Sequence, residues 1–271
     1  MLTLVHLSDL HFGRVDTAIV QSLRTTVEEI RPEVVVVSGD LTQRARTQEF
    51  KEARAFLDLL PPTQIIVPGN HDIPLGNLFA RFFQPLSKYN RYISNDLEPF
   101  YVNQEVAILG INTACSLTIQ RGRINKEQIL RILERLAPLG TQIVKILVSH
   151  HPFEIPEGYH KYRSVGRSRW AMEILAKCGV DIFLAGHLHV SHVGDIIVGY
   201  KTNRYSALII QAGTATSTRS RGEPPSFNRV RIAHPQIMVE RFCWHPEKEA
   251  FGAVSIQHFR RTSEGWLPSR N

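Results

Sequence analysis

Eight residues of this chain can bind a borderline divalent metal through oxygen or nitrogen: Asp9, His11, Asp40, Asn70, His71, His150, His187 and His189. Mixed imidazole and carboxylate donors suit iron, manganese or zinc rather than calcium. A catalytic ion usually takes about three protein ligands and keeps one position open, so a single ion would leave several of these unused. Two ions sharing a carboxylate would use them well. Asp40, alone after Gly39, is placed to offer one oxygen to each, and His71 is better kept for chemistry. Separately, Gly39-Asp40 reads as a turn and Asn70-His71-Asp72 as a hydrogen-bonded loop. Those readings fail together, because the coincidence would recur at five places.

The five places share one layout. Leu2 to Leu7 runs into Ser8-Asp9-Leu10-His11, Val34 to Val37 into Ser38-Gly39-Asp40, and Gln64 to Val67 into Pro68-Gly69-Asn70-His71-Asp72. Ile143 to Val148 runs into Ser149-His150-His151-Pro152, and Val180 to Ala185 into Gly186-His187-Leu188-His189. Short, near-continuous apolar runs are strands buried on both faces. Their polar ends lie where open α/β sheets place ligands. The spacing of His187 and His189 lets the two imidazoles meet one point or two adjacent ones.

Helical stripes separate the runs at Thr17 to Arg31, Thr47 to Leu60, Asn125 to Ala137 and Arg169 to Cys178. Pro32, Pro61-Pro62 and Gly179 stop three of them, and Asn125 is a candidate N-cap. Strands alternating with helices imply βαβ units and an α/β fold. Phe79 to Tyr92 reads as one further helix. After His189 the pattern turns to short strands joined by turns, at Asp195 to Tyr200, Ala207 to Gln211, Arg229 to Ala233, Gln236 to Phe242 and Val254 to Phe259. These are expected to complete a second sheet within a single domain covering 1–271, since no linker or repeat interrupts the chain.

With 43% hydrophobic and 21% charged residues, the composition is that of an ordinary globular protein. No apolar run approaches the roughly 18 residues of a membrane span. The opening residues enter a strand without the regions of a signal peptide, so a cytoplasmic protein with no membrane partner is expected. Cys115, Cys178 and Cys243 form no metal motif or disulfide framework and read as packed thiols. The net charge of +7 suits anionic partners. Arginines cluster modestly at Arg163, Arg167 and Arg169, at Arg219 and Arg221, and at Arg260-Arg261. No pattern indicates a nucleic-acid module, although nucleic acid is permitted.

The ordered series Asp9-x-His11, Gly39-Asp40, Gly69-Asn70-His71-Asp72, His150 and Gly186-His187-x-His189 resembles the signature of the calcineurin-like metallophosphoesterases. The resemblance runs from Asp9 to His189. Ser8-Asp9-Leu10-His11-Phe12-Gly13 further resembles the bacterial class III cyclic-nucleotide phosphodiesterase branch. It implies a four-layer α/β/β/α sandwich of two mixed sheets flanked by helices. It also implies one metal held by Asp9, His11, Asp40 and His189, and another held by Asp40, Asn70, His150 and His187. The ions would be manganese, iron or zinc, and His151 would support rather than coordinate.

The activity so implied is phosphodiester hydrolysis by a hydroxide bridging two metals about 3.5–4 Å apart, with a small phosphodiester, such as a 3′,5′-cyclic nucleotide, as substrate. His71 would stabilise the transition state or protonate the leaving alkoxide, with Asp72 orienting its ring. Alternatives are a nuclease or phosphomonoesterase of the same family, or a non-enzymatic scaffold, which the intact ligand set disfavours. The loop Thr216 to Asn228, with Arg219 and Arg221, is a candidate border of the substrate cleft.

Overall fold

The computed structural model describes residues 1–159, 161–200, 203–216 and 222–269. In order come β1 (Leu2–Leu7), α1 (Thr17–Ile30), β2 (Val34–Ser38), α2 (Thr47–Leu57), β3 (Gln64–Val67), α3 (Leu78–Phe83) and α4 (Ser87–Tyr92). Next are β4 (Phe100–Val102), β5 (Val106–Gly110), α5 (Lys126–Leu136), β6 (Val144–Val148), α6 (Ser168–Cys178) and β7 (Ile182–Ala185). Then follow β8 (His192–Tyr200), β9 (Asn203–Gln211), β10 (Ser226–Ala233), β11 (Gln236–His245), β12 (Ala250–Thr262) and β13 (Gly265–Ser269).

The strands build two mixed sheets, ordered β13-β12-β11-β10-β1-β2-β3 and β4-β5-β6-β7-β9-β8. β1, β2 and β3 run parallel, as do β5, β6, β7 and β9. Alternation along each strand sorts the side chains. Leu2, Leu4, Val34 and Val36 meet Ile108, Ile146, Val148 and Leu184 between the sheets. Their neighbours Val5, Leu7, Val35 and Val37 pack outward on Leu23 and Val27 of α1 and Phe50 and Leu57 of α2. Leu109, Leu147 and Phe183 do the same against Ile129, Ile132 and Leu175 of α5 and α6. Burial on both faces explains the unbroken apolar runs, each such side chain contributing about 1.5–3 kcal/mol. The layers are therefore α/β/β/α.

Local chemistry sets the helix ends. Asp16 accepts from Ala18 N at 2.9 Å to start α1. Asn125 caps α5, and Gln128 answers with its side chain on the Asn125 N–H. The single helix expected over Phe79 to Tyr92 is two helices, α3 and α4, parted around Pro85, which offers no N–H to a continuing ladder. The chain after residue 190 also differs from expectation. Only β8 and β9 extend the second sheet. β10 pairs antiparallel with β1 and carries β11 to β13 onto the first.

Candidate metal centre

The polar strand ends gather at one edge of the sandwich. Backbone pairing continues past the strands: Asp9 N donates to Gly39 O at 3.0 Å and His11 N to Asp40 O at 3.0 Å. Asp9, His11, Asp40, His187 and His189 all take positive φ, at 53°, 48°, 54°, 74° and 58°. They are five of the nine non-glycine residues with positive φ among the described residues. Each such left-handed residue costs on the order of 1–3 kcal/mol, so its concentration here marks a geometry imposed by the surroundings. Gly186 shows the crowding, because a Cβ there would overlap Ser8 Oγ and lie 2.6 Å from Asp9 Oδ2.

Asp9, His11, Asp40 and His189 form one group, with one donor atom from each within 4.8 Å of the others. His11 Nε2 is 3.3 Å from His189 Nε2, and His189 Nε2 is 3.2 Å from Asp9 Oδ1. His11 Nδ1 faces the carbonyl of Thr42 at 3.3 Å and must carry the ring proton, which turns a lone pair on Nε2 toward the group. Asp9 Oδ2 accepts from Ser8 Oγ and from His187 N, while Oδ1 is buried without a hydrogen-bond donor. Lone pairs converging on one point fit a cation.

Beside it, His150, His151 and His187 bring ring nitrogens within 4.8 Å of one another. His150 donates from Nδ1 to Ser38 O at 2.8 Å, so Nε2 faces Asn70 Oδ1 at 3.1 Å and Asp40 Oδ1 at 3.3 Å. Asp40 thus turns Oδ1 to this group and Oδ2 to the other, 3.9 Å from His11 Nε2. His187 lies with His150 and His151, at ring separations of 5.2 and 4.6 Å, and His189 with His11. His151 lies nearer this cluster than the sequence suggested. Its Nδ1 is 2.9 Å from Thr113 Oγ1, and its ring packs where a Cβ on Gly122 would fall.

Charge balance follows the same division. Burial opposes ionisation of Asp9 and Asp40, yet the facing imidazoles, His189 for Asp9 and His150 for Asp40, hold both carboxyls below the usual range. Burial lowers His11 to about 4 and His187 to about 3, which keeps them as neutral ligands. His150 is opposed by burial but raised to about 9 by Asp40. A positive charge between those two groups is what the site asks for, and a metal ion can supply it as a proton can.

His71 sits over this edge, its ring 4.9 Å from that of His11 and its N–H on Asp40 Oδ1 at 2.8 Å. The expected orientation of His71 by Asp72 needs correction. His71 Nδ1 donates to the carbonyl of Gln43 at 2.8 Å. Asp72 instead accepts from the backbone N–H groups of Leu41, Thr42 and Gly69 and from Thr42 Oγ1, bracing the turn that carries Asp40. Burial, then the charge of Asp40, raise its carboxyl to about 6 against those donors. A charge-free carbonyl such as that of Gln43 leaves no mark in the residue types. Nor do Thr214 and Thr216, whose hydroxyls donate to the carbonyls of Asp9 at 2.8 Å and Leu10 at 2.6 Å. Arg219 and Arg221 lie outside the described residues.

A family model, calcineurin-like phosphoesterase, matches residues 2–191. The chain belongs to the calcineurin-like phosphoesterases. A probable glycerophosphodiester phosphodiesterase of Arcobacter nitrofigilis is 26% identical over 163 residues, covering 59% of this chain and 57% of that one. A probable cyclic nucleotide phosphodiesterase of Vesicomyosocius okutanii is 23% identical over 195 residues, 69% of this chain and 78% of its own. The matched stretch thus spans little more than half of the first relative's length. A dimetal phosphatase of Danio rerio shares the fold with a TM-score of 0.66 at 14% identity, covering 95% of this calcineurin-like chain and 98% of that one. A purple acid phosphatase of yellow lupin reaches 0.70 at 13% identity, covering 95% and 53%.

Proposed function

We propose that the chain hydrolyses phosphodiesters with two transition-metal ions, manganese, iron or zinc. Asp9, His11, Asp40 and His189 would hold one, and Asp40, Asn70, His150 and His187 the other. The observation that carries the reading is Asp40, which turns one carboxylate oxygen to each group of donors. Two ions there would offset charge on the phosphoryl oxygens and make the attacking water a better nucleophile near neutral pH. The carbonyls of Thr42 and Ser38 fix the tautomers of His11 and His150, so both present Nε2. With Nδ1 tied to Gln43, the contribution of His71 toward a leaving alkoxide falls to Nε2.

Relatives named for glycerophosphodiesters and for cyclic nucleotides favour a diester over a monoester. We read the chain as a single domain, since β10 pairs directly with β1 and β9 with β7, and as one acting in the cytoplasm. The test is turnover of bis(p-nitrophenyl) phosphate with manganese, before and after chelation. A panel of 2′,3′- and 3′,5′-cyclic nucleotides, glycerophosphodiesters, p-nitrophenyl phosphate and single-stranded DNA then separates phosphodiesterase from phosphatase and nuclease. Turnover that survives both complete chelation and Asp40→Ala rules the reading out.

A further inference from the structure

Helix α3 is built inside out. Leu78, Phe79, Phe82 and Phe83 are 66%, 67%, 50% and 72% exposed, while Arg81 is 5% exposed. The Arg81 guanidinium donates to Pro74 O at 3.2 Å and to Thr118 O, which draws the neighbouring turn alongside. That turn adds Leu117 and Ile119, 72% and 61% exposed. At about 200 Å² for a fully exposed side chain, this surface is on the order of 800 Å². The largest apolar patch of a typical monomer is about 300–600 Å².

Three segments of the chain carry charge of one sign. Residues 73–95, 106–126 and 158–172 contain no Asp or Glu, although the chain has 25. They contain Arg91, Arg121, Arg123, Arg163 and Arg167, all exposed. The three segments meet at the site. The first follows Asp72, the second packs on His151 through Thr113 and Gly122, and the third brings Tyr162 within 6.5 Å of the His187 ring. An isolated bridge between Arg123 and Gly166 joins the last two.

We propose that α3 and the turn at 117–119 dock the chain on an anionic lipid surface, with the arginines against the headgroups and the site mouth facing them. An apolar wedge ringed by cations is the chemistry such surfaces recognise. A second copy would bring like charges face to face. Single-stranded nucleic acid would want aromatic faces on which bases can stack. Here Phe79 and Phe83 lean on each other at 4.9 Å, Phe82 is half exposed, and Leu78, Leu117 and Ile119, half of the patch, offer no such face. The expectation of no membrane partner rested on the lack of a spanning segment, and peripheral docking needs none. No helix among the described residues is long and apolar enough to cross a membrane.

The experiment is co-sedimentation of the full chain with vesicles of phosphatidylcholine alone or mixed with phosphatidylglycerol. Binding is expected only to the anionic vesicles and is expected to fall as salt rises. Phe79→Ser with Phe83→Ser, and separately Arg121→Glu with Arg123→Glu, should each weaken it at least about tenfold. The phenylalanine variant should keep wild-type turnover of bis(p-nitrophenyl) phosphate. Failure to bind anionic vesicles at low salt overturns the proposal, as does binding that neither variant reduces. So does light scattering that shows the phenylalanine variant dissolving a dimer while vesicle binding is unchanged, or binding of a DNA oligonucleotide in preference to vesicles. Vesicle binding of the expected kind without diester turnover supports the docking and defeats the catalytic reading alone.

Discussion

Asp40 Oδ1 and His150 Nε2 face each other at 3.3 Å with almost no exposure to solvent. The other oxygen of the same carboxylate faces His11, so a change at Asp40 reaches both donor groups. Asp40→Ala should therefore lose both metals from the purified protein, with affinity falling at least about 100-fold. His189→Ala should weaken chiefly the ion held with Asp9 and His11. Metal analysis after dialysis distinguishes them, and equal loss of both ions from His189→Ala would remove the basis for dividing the ligands.

Gly69 provides a subtler handle on the same carboxylate. Its φ of −109° is open to any residue, so alanine there meets no backbone penalty. Its Cβ would nevertheless overlap Asp40 Oδ1. Gly69→Ala should cost about 1–3 kcal/mol in thermal or urea unfolding and reduce metal content without removing a ligand. Full metal loading in this variant would mean that Asp40 can move freely, contrary to its packing.

Asp181 clips the two sheets together away from the site. Its carboxylate accepts from Lys145 N at 2.9 Å, from Trp266 Nε1 at 3.0 Å and from Arg261. Asp181→Ala would strand the first two donors in a buried setting, at a cost of about 3 kcal/mol by chemical denaturation. Half-exposed Arg261 adds little to that. Burial raises the Asp181 carboxyl above its ordinary value despite these partners. A raised group gives its full stability below the unfolded pKa and loses it as pH rises through the folded one. The stability difference between wild type and Asp181→Asn should therefore narrow as pH climbs from the ordinary carboxyl value toward neutrality.

The donor residues were legible because each closes an apolar run, a pattern of side-chain type. The two layers of helices were legible for the same reason, through the stripes of α1, α2, α5 and α6. What stayed hidden depends on the backbone. The carbonyls of Gln43, Thr42 and Ser38 orient three imidazoles, yet a carbonyl belongs to every residue. Asp72 looked like a partner for its neighbour His71, and only the fold shows its oxygens turned to the amides of the Asp40 turn. The placement of β10 beside β1 likewise follows from a long return of the chain that strand composition does not encode.

Thr214 and Thr216 hold the carbonyls of Asp9 and Leu10, and β10 lies along β1. The residues that would bind metal thus stand in a frame closed by chain made after the last of them and long after the first. Contacts of such sequence separation form slowly. During synthesis the first histidines emerge early, but His11 lacks His189 beside it, and Asp9 and Leu10 lack the threonine hydroxyls, until the final third has folded back. Metal capture would then be a closing event of folding, stabilising the finished protein by mass action rather than starting its assembly.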